Sequence, residues 1–284
     1  MLGGHRLCVT GEATADRLME IDGMAVFAVE EGEADTIVYV DCNLTMPECR
    51  WVYEFDFPDA GCRCRYGEGK DGLGVFTFGD EEFLLFDSRR PDRVEVTTVE
   101  DLTRLRFMLW MAVALTGAFH KMTLIHSSTV VYGGCGVLFL GESGTGKSTH
   151  TRLWLKHIEG ARLLNDDSPL IGISAAGEVM VWGSPWSGKT PCYRQEGYPV
   201  AAIVRLEQRP ENAIRRLSVL EAFGALQPSC PPALAHSEVM IDRIVGLISD
   251  VLLRVPVYRL GCLPDRDAAM LSFRTVFQRD GKEG

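Results

Sequence analysis

One glycine-rich segment constrains the fold of this chain more than any other feature: Gly141-Glu142-Ser143-Gly144-Thr145-Gly146-Lys147-Ser148. It follows the apolar run 137–140, which is typical of a strand, and it opens a helix-like segment. Glycines at this spacing let successive backbone N–H groups turn inward around phosphates, and the positive end of the following helix adds a fixed partial charge. The pattern predicts a phosphate-binding loop in which residues Gly141 to Thr149 contact a nucleotide.

The last two residues of this segment have expected chemical roles in addition to their part in the turn. In the pattern G-x-x-x-x-G-K-S, the lysine reaches the β- and γ-phosphates and the last hydroxyl binds Mg²⁺. We therefore assign these roles to Lys147 and Ser148. A glycine-rich turn that serves only the packing of a strand against a helix is the alternative interpretation.

A pair of carboxylates follows one predicted helix later, in Leu163-Leu164-Asn165-Asp166-Asp167. One carboxylate at a strand end can hold Mg²⁺ while its neighbour accepts a proton from an attacking hydroxyl. Asp and Asn also cap helices and turns, which is the structural alternative. We expect the pair to complete a site for phosphoryl transfer.

Two hairpins around the glycine-rich segment argue against a purely parallel sheet. Residues 129–132 and 137–140 are predicted strands joined by a short glycine-rich turn, and residues 170–173 and 178–182 form a second such pair. Parallel neighbours would need crossover connections of about a dozen residues or more. We expect an α/β fold, of the α+β type with a mixed sheet, that carries the phosphate-binding loop.

At these residues the chain resembles a known family. Residues 125–128 (Ile-His-Ser-Ser), the first hairpin, residues 141–148 and residues 165–167 are similar to the catalytic domain of HPr kinase/phosphorylase and, more distantly, to ATP-type phosphoenolpyruvate carboxykinase. Within that group the chain resembles an uncharacterised branch of HPr-kinase-like proteins, which share residues 183–191. The resemblance covers about residues 120–275 and implies a P-loop kinase domain that uses ATP and Mg²⁺.

The resemblance also implies roles for single residues. It makes Asp166 the general base, Asp167 a carboxylate associated with the metal, and His126 a histidine near the transferring phosphate. On the residues alone, a histidine at a strand start is more often a structural residue with satisfied hydrogen bonds. Lys189 lies in a Gly/Ser/Pro-rich turn from which an ammonium group can reach the transferring phosphoryl group, and a solvated loop lysine is the alternative.

Arg205 follows the apolar strand 201–204 and is a further candidate, because a guanidinium binds phosphate in a fork-like manner. An ordinary surface arginine is the alternative. The segment that the family associates with reverse phosphorolysis has no match in this chain, so the acceptor and the reverse reaction stay open. A carboxykinase would need an arginine set for a carboxylate and a second metal site, and neither is visible in these 284 residues.

The composition is that of an ordinary globular protein, with 46% hydrophobic and 24% charged residues. A net charge of −10 argues against nonspecific binding to nucleic acid or to an anionic membrane surface. The N-terminus lacks the apolar core of a secretory signal, and the longest uncharged apolar run, 107–119, is shorter than the roughly 20 residues of a membrane span. We expect a cytoplasmic protein.

Nine cysteines, an odd number, predict thiols and not a disulfide framework. Cys62 and Cys64, with Cys42 and Cys49, form the one group that suggests zinc. The single residue between Cys62 and Cys64 is tighter than the usual ligand spacing, so we expect no metal there.

The chain divides by pattern into a β-rich N-terminal region (1–98), a bridging helix (99–122) and a P-loop kinase catalytic domain (123–284). Strand-like alternation marks the first region at 36–40, 51–57, 75–78 and 94–97. That region serves substrate recognition or oligomerisation, with a homo-oligomer left open. Its alternating aromatic residues are most simply buried core: Trp51, Tyr53, Phe55 and Phe57.

The C-terminal part shows weaker signals. Ser218 and Glu221 have the spacing of a capping box and predict a short helix that ends near residue 226. A long amphipathic helix over 232–254, a strand over 257–260 and a last helix over 265–277 follow.

Together these features predict an ATP- and Mg²⁺-dependent kinase that phosphorylates a hydroxyl group, with Asp166 as the base. The expected partner is a hydroxyl-bearing protein, through a serine, or a small serine-like metabolite, and neither nucleic acid nor a membrane. The alternative is a nucleotide-binding regulatory or peptide-modification adaptor without fast turnover. An intact acid pair disfavours that alternative, because binding alone requires no base.

Overall fold

The structure is a computed structural model that describes residues 1–11, 14–30, 32–57, 61–188 and 190–278. Contacts within the chain divide it into two compact units. The first consists of Met1–Thr123 with Pro231–Ile244, and the second of Leu124–Cys230 with Val245–Gly284. The functional division into an N-terminal region, a bridging helix and a catalytic domain stays a prediction.

The first unit contains a mixed sheet of seven strands and two α-helices. The strands are β1 (Leu7–Gly11), β2 (Thr36–Val40), β3 (Arg50–Phe57), β4 (Cys62–Glu68), β5 (Leu73–Phe78), β6 (Glu82–Asp87) and β7 (Arg93–Val96). Across the sheet their order is β1-β2-β7-β6-β5-β4-β3. The pairs β1–β2 and β2–β7 are parallel, and the other neighbours are antiparallel. The helices are α1 (Thr14–Glu20) and α2 (Leu102–Gly117).

Four predicted strands of this region are confirmed as β2, β3, β5 and β7. The strand β6 escaped prediction because four consecutive residues in it are buried, so the sequence shows no alternation between polar and apolar residues. The strand β4 also escaped prediction, although its first five residues alternate between apolar and polar side chains. Alternation alone therefore neither detects a fully buried strand nor ensures that an alternating one is recognised.

The predicted bridging helix (99–122) is shorter in the structure. Asp101 lies before the helix and caps it, because its side chain accepts a hydrogen bond of 2.9 Å from the backbone N–H of Arg104. The chain leaves the helical path at Lys121, where φ is +53°. Among the described residues, Leu102–His120 is the one helical stretch long and apolar enough to cross a membrane, and 61% of its most apolar window is buried in the structure, as in the core helix of a soluble protein.

The aromatic residues of β3 do not form the buried face that their alternation predicted. The strand lies at the edge of the sheet, where Trp51 is 38% exposed and packs against the guanidinium of Arg65 at 4.2 Å from the ring centre. Tyr53 stacks on His236 of the same unit, with ring centres 3.6 Å apart. The side chain of Phe57 lies outside the described residues. An edge strand has no neighbour on one side, so its aromatic residues find other partners.

The described residues form a second mixed sheet, of nine strands, that lies mainly in the second unit. Seven of its strands are β9 (Ser127–Tyr132), β10 (Cys135–Leu140), β11 (Arg162–Asn165), β12 (Leu170–Ile173), β13 (Val179–Trp182), β14 (Gly197–Gln208) and, joined to β14, β16 (Val257–Cys262). The short strand β15 (Ala213–Arg216) pairs with β16, and β8 (Met122–Leu124) spans the boundary between the units.

Both predicted hairpins are confirmed, because β9 pairs with β10 and β12 pairs with β13 in antiparallel register. The strand β14 runs parallel to both β10 and β16. The predicted mixed sheet is therefore confirmed. Apolar residues of β10, β14 and β16 form one core cluster with two helices, α3 (Lys147–His157) and α6 (Arg266–Phe277), and Trp154 is fully buried in it.

The predicted capping box is confirmed, since Ser218 and Glu221 exchange hydrogen bonds at the start of helix α4 (Val219–Leu226). The predicted helix over 232–254 is wrong in its first part. A 3₁₀ helix covers Pro232–His236, and Ser237 then takes an extended conformation before α5 (Glu238–Leu252) begins. The last helix starts at Arg266 because Asp265 caps it, accepting a hydrogen bond of 2.9 Å from the backbone N–H of Ala268.

No disulfide bond joins the cysteines of the described residues. Across the same ranges, no three His, Cys, Asp or Glu side chains are grouped so that they could hold a metal ion.

Candidate functional site

Four segments of the second unit meet at one edge of its sheet. The strands β10 and β11 both pair antiparallel with β9, so their carboxyl ends lie at the edge where β9 begins. The strand β14 is parallel to β10 and ends at the same edge. This topology brings together the glycine-rich segment after β10, the acid pair after β11, His126 before β9 and Arg205 near the end of β14.

The glycine-rich segment forms the predicted turn between a strand and a helix, with β10 ending at Leu140 and α3 beginning at Lys147. Gly144 and Gly146 have φ values of +80° and +106°, which favour glycine over any residue with a side chain. A side chain at Gly141 would lie 3.0 Å from the side chain of Thr145. The turn therefore requires glycine at these positions, and contact of residues 141–149 with a nucleotide stays a prediction.

The ammonium group of Lys147 is folded back onto the loop. Its Nζ atom lies 2.9 Å from the carbonyl oxygen of Gly141, 3.2 Å from that of Glu142 and 2.8 Å from Nε2 of His126. These three acceptors match the three N–H groups of an ammonium. Burial lowers the pKa of Lys147, and the carboxylates of Asp167 and Glu142 oppose that shift.

His126 lies between Lys147 and Asp167. An ammonium group can only donate hydrogen bonds, so Nε2 of the ring accepts from Lys147 and the ring proton lies on Nδ1. That atom faces Oδ1 of Asp167 at 3.4 Å. The backbone N–H of His126 donates to the carbonyl of Ser229 at 2.7 Å, which fixes the segment that carries the ring.

Asn165 fixes the turn that carries the acid pair. Its side-chain Oδ1 accepts hydrogen bonds from the backbone N–H groups of Asp167 and Ser168, at 2.9 and 3.0 Å. Its Nδ2 group donates to the carbonyl of Trp186 at 3.1 Å and to the hydroxyl of Ser184 at 3.2 Å. All polar atoms of this buried side chain are thereby paired, and the two aspartates are held in one backbone conformation.

The two aspartates lie in different surroundings. Asp166 is buried, and its Oδ1 accepts a hydrogen bond of 2.5 Å from the hydroxyl of Ser128. That hydroxyl also lies 3.1 Å from Oγ1 of Thr151, one turn along α3 from Ser148. The side chain of Asp167 is 37% exposed and faces His126. Asp166 is therefore turned towards the start of α3, and Asp167 towards solvent and the histidine.

The donor set at the start of α3 suits Mg²⁺. Ser148 supplies a hydroxyl, and the neighbouring carboxylates supply anionic oxygens, which are the ligands that this ion prefers. Because Mg²⁺ usually keeps waters and substrate phosphates among its ligands, it needs only one or two protein oxygens.

Two other candidates are placed differently. Arg205 extends from β14 to the loop, where its Nη2 atom lies 2.5 Å from Oε1 of Glu142. The predicted site residue Lys189 lies outside the described residues, so its role stays a prediction. Ser143 and Thr149 lie in the loop and the first turn of α3, as the sequence predicts.

Sequence reasoning missed three polar residues of this site: Ser128, Thr151 and Gln208. Ser128 and Thr151 are both buried and join Asp166 to α3, while Gln208 donates to the carbonyl of Gly144 at 3.2 Å. Ser128, at the start of an apolar strand, was the available signal, since buried hydroxyls need partners, whereas Thr151 stands between His150 and Arg152 and gave none.

Comparisons with known proteins add little to this site. No protein-family model matches the chain, and no curated protein matches it at a significant level. Among solved structures, the Hpr(Ser) kinase/phosphatase from Coxiella burnetii is 14% identical over 55% of this chain and 88% of that chain, with a TM-score of 0.31. A similarity at this level supports no functional conclusion, so the function is argued from the site alone.

Proposed function

We propose that this protein is an ATP- and Mg²⁺-dependent kinase of the HPr-kinase-like type that phosphorylates a hydroxyl group. The observation that carries the proposal is the convergence of the glycine-rich loop, Lys147, His126 and the acid pair at one sheet edge. A loop with glycines at these positions suits a phosphate chain, and a carboxylate pair beside it suits proton transfer and metal binding. Structural packing alone explains the glycines but does not require the acid pair.

Within this proposal the two aspartates divide the work by their surroundings. The sequence interpretation gives the role of base to Asp166 and the metal-associated role to Asp167. We propose the reverse division, because a base must meet the acceptor and Asp167 is the more exposed carboxylate. Asp166 and Ser148 would hold Mg²⁺, which supplies positive charge that offsets charge developing on the phosphoryl oxygens.

The reaction is then an in-line displacement. The acceptor oxygen forms a bond to the γ-phosphorus, and the bond from that phosphorus to the bridging β,γ-oxygen breaks, so ADP leaves with the electron pair. The acceptor proton passes to the carboxylate of Asp167, whose orientation is fixed by Nδ1–H of His126 and by the hydroxyl of Ser168 at 2.9 Å. Lys147 exchanges its loop carbonyls for phosphate oxygens.

The test is transfer of label from γ-labelled ATP. Purified protein with Mg²⁺ is incubated with the protein fraction and the small-molecule fraction of a cell extract, and wild type is compared with Asp167→Asn. Label that moves to an acceptor only with wild type supports the proposal and shows the acceptor class. Tight nucleotide binding without transfer in either fraction would overturn it in favour of a regulatory nucleotide-binding adaptor.

A further inference from the structure

A carboxylate of the loop forms an ion pair with an arginine side chain of the adjacent strand β14. Glu142, the second residue of the loop, places Oε1 at 2.5 Å from Nη2 of Arg205. The side chain of Arg205 is only 16% exposed, whereas that of Glu142 is 77% exposed. The guanidinium is therefore a largely buried cation, and its partner is an exposed surface anion.

The position of Arg205 is built into the sheet. It pairs in register with Leu140, the last residue before the loop, and its Nη1 atom donates to the carbonyl of Ala225 at 3.2 Å. Gln208, three residues further along β14, donates a hydrogen bond to the loop at the carbonyl of Gly144. A cavity of about 460 Å³ lies between this strand end and the loop, and it is lined by Glu142, Ser143, Gly144, Thr145 and residues 205–208.

The order of the strands indicates how a phosphate chain would lie in the loop. The strand β10 has β9 on one side, with His126 and the acid pair, and β14 on the other, with Arg205. In the proposed reaction the γ-phosphate of ATP must meet the acid pair. The α- and β-phosphates and the ribose would then extend towards Arg205 and the cavity.

We infer that Arg205 binds the non-transferred phosphates of the nucleotide and that Glu142 is a built-in competitor that holds this site in the free protein. The inference rests on the proposed function. A carboxylate and a phosphate offer a guanidinium the same fork of anionic oxygens, so one can replace the other. Nucleotide entry exchanges Glu142 for phosphate, and the released carboxylate turns into solvent.

A change in a phosphate-binding loop usually weakens nucleotide binding, whereas the inference predicts that one such change strengthens it. Glu142→Gln removes the competitor, so it tightens binding of Mg²⁺·ADP by about fivefold at low salt, the size expected for one exposed ion pair. Arg205→Gln weakens binding by about tenfold or more, because a charge-assisted phosphate contact is lost. The tightening by Glu142→Gln disappears in the Arg205→Gln background, since no competition is left to relieve.

The experiment is isothermal titration calorimetry of Mg²⁺·ADP and of a non-hydrolysable ATP analogue with wild type, both single variants and the double variant. Glu159→Gln, an exposed glutamate after α3, is the control for removal of one negative charge. Thermal melting verifies that each variant is folded. Because Arg205 faces the non-transferred phosphates, the change for Glu142→Gln is the same with both ligands.

The outcomes separate the two proposals. Equal tightening by Glu142→Gln in both backgrounds, or the same tightening by Glu159→Gln, would show a general charge effect and overturn the inference alone. Unchanged affinity in Arg205→Gln would overturn it as well. A folded wild-type protein that binds neither ligand would instead overturn the proposed function, and this inference with it.

Discussion

The side chain of Asn165 is tied to the carbonyl of Trp186 by a hydrogen bond of 3.1 Å, which joins the turn of the acid pair to the segment after the second hairpin. A side chain at Gly188 would lie 2.9 Å from the carbonyl oxygen of Asp166, so the segment also packs directly on the aspartates. The residues 183–188 therefore pack against the turn of the acid pair and support it, independently of any role for Lys189.

The first prediction concerns this support. Asn165→Ala leaves the backbone N–H of Asp167 without its acceptor and leaves that of Ser168 only a long contact of 3.4 Å to the carbonyl of Trp186, so it lowers the free energy of unfolding by about 3 kcal/mol. Chemical denaturation measures the change, and Asn43→Ala, at an exposed asparagine of the first unit, is the control. Equal stability of the two variants would mean that the turn does not depend on this side chain.

The second prediction separates the two aspartates. Asp167→Asn lowers the rate of phosphoryl transfer about 10²- to 10⁴-fold, the usual contribution of a general base, and leaves the affinity for Mg²⁺·ADP nearly unchanged. Asp166→Asn instead raises the Mg²⁺ concentration needed for half-maximal rate. Steady-state kinetics at varied Mg²⁺ distinguishes the variants. The opposite pattern would return the base to Asp166, as the sequence interpretation has it.

A third prediction concerns Ser128, whose hydroxyl is the buried partner of Asp166. Ser128→Ala leaves a buried carboxylate oxygen without a donor, which costs about 1–3 kcal/mol of stability. In the kinase assay the variant also shifts the Mg²⁺ dependence in the same direction as Asp166→Asn. Thr151→Ser keeps a hydroxyl at the other end of this contact and serves as the control. A Ser128→Ala protein with wild-type stability and wild-type Mg²⁺ dependence would contradict the assigned role.

A fourth prediction follows from His150, which is buried in α3 and bonded to Ser272 of α6 at 3.0 Å. Burial lowers its pKa from 6.5 to about 4. Below pH 6.5 the unfolded chain takes up a proton that the folded protein excludes. The free energy of unfolding therefore decreases as the pH is lowered, and near pH 4 it is about 3 kcal/mol smaller than at pH 7. Above pH 6.5 this residue contributes no pH dependence.

Urea denaturation between pH 4 and pH 7, in metal-free buffer, tests this expectation. His150→Gln removes the proton uptake and flattens the slope of stability against pH, although its stability at pH 7 is also lower because the contact with Ser272 changes. His157→Gln, on the same helix, is the matched variant. Parallel slopes for His150→Gln and wild type would show that another group causes the acid sensitivity.

The sequence predicted the parts of this fold that depend on local chemistry. The turn at 141–146, both hairpins of the second unit and the capping box at Ser218 follow from residues adjacent in the chain. The pairing of β14 with β10 and β16 depends on residues far apart, so no local pattern revealed it. The same limit explains the exposed aromatic residues of β3, because alternation does not tell an edge strand from a central one.

The same distinction between local signals and long-range contacts applies to the candidate site. Lys147, Ser148 and the acid pair were visible because their spacing in the sequence mirrors their chemistry. The contacts that distinguish Asp166 from Asp167 come from Ser128 and Thr151, on two other elements, and a sequence shows no such contacts. The competition of Glu142 for Arg205 likewise joins residues 63 positions apart in the chain.

Lys147 enters any binding reaction with all three of its N–H groups already bonded to the protein. In the proposed kinase a nucleotide phosphate replaces the two loop carbonyls and adds no further hydrogen bond to the ammonium group, so the heat of binding reports a difference between two sets of hydrogen bonds. Calorimetric enthalpies for this protein will therefore understate how strongly the lysine holds phosphate. The strength of that contact has to be measured as an affinity. The bonds of Lys147 to His126 and to the loop carbonyls belong to the free protein with which the bound state is compared.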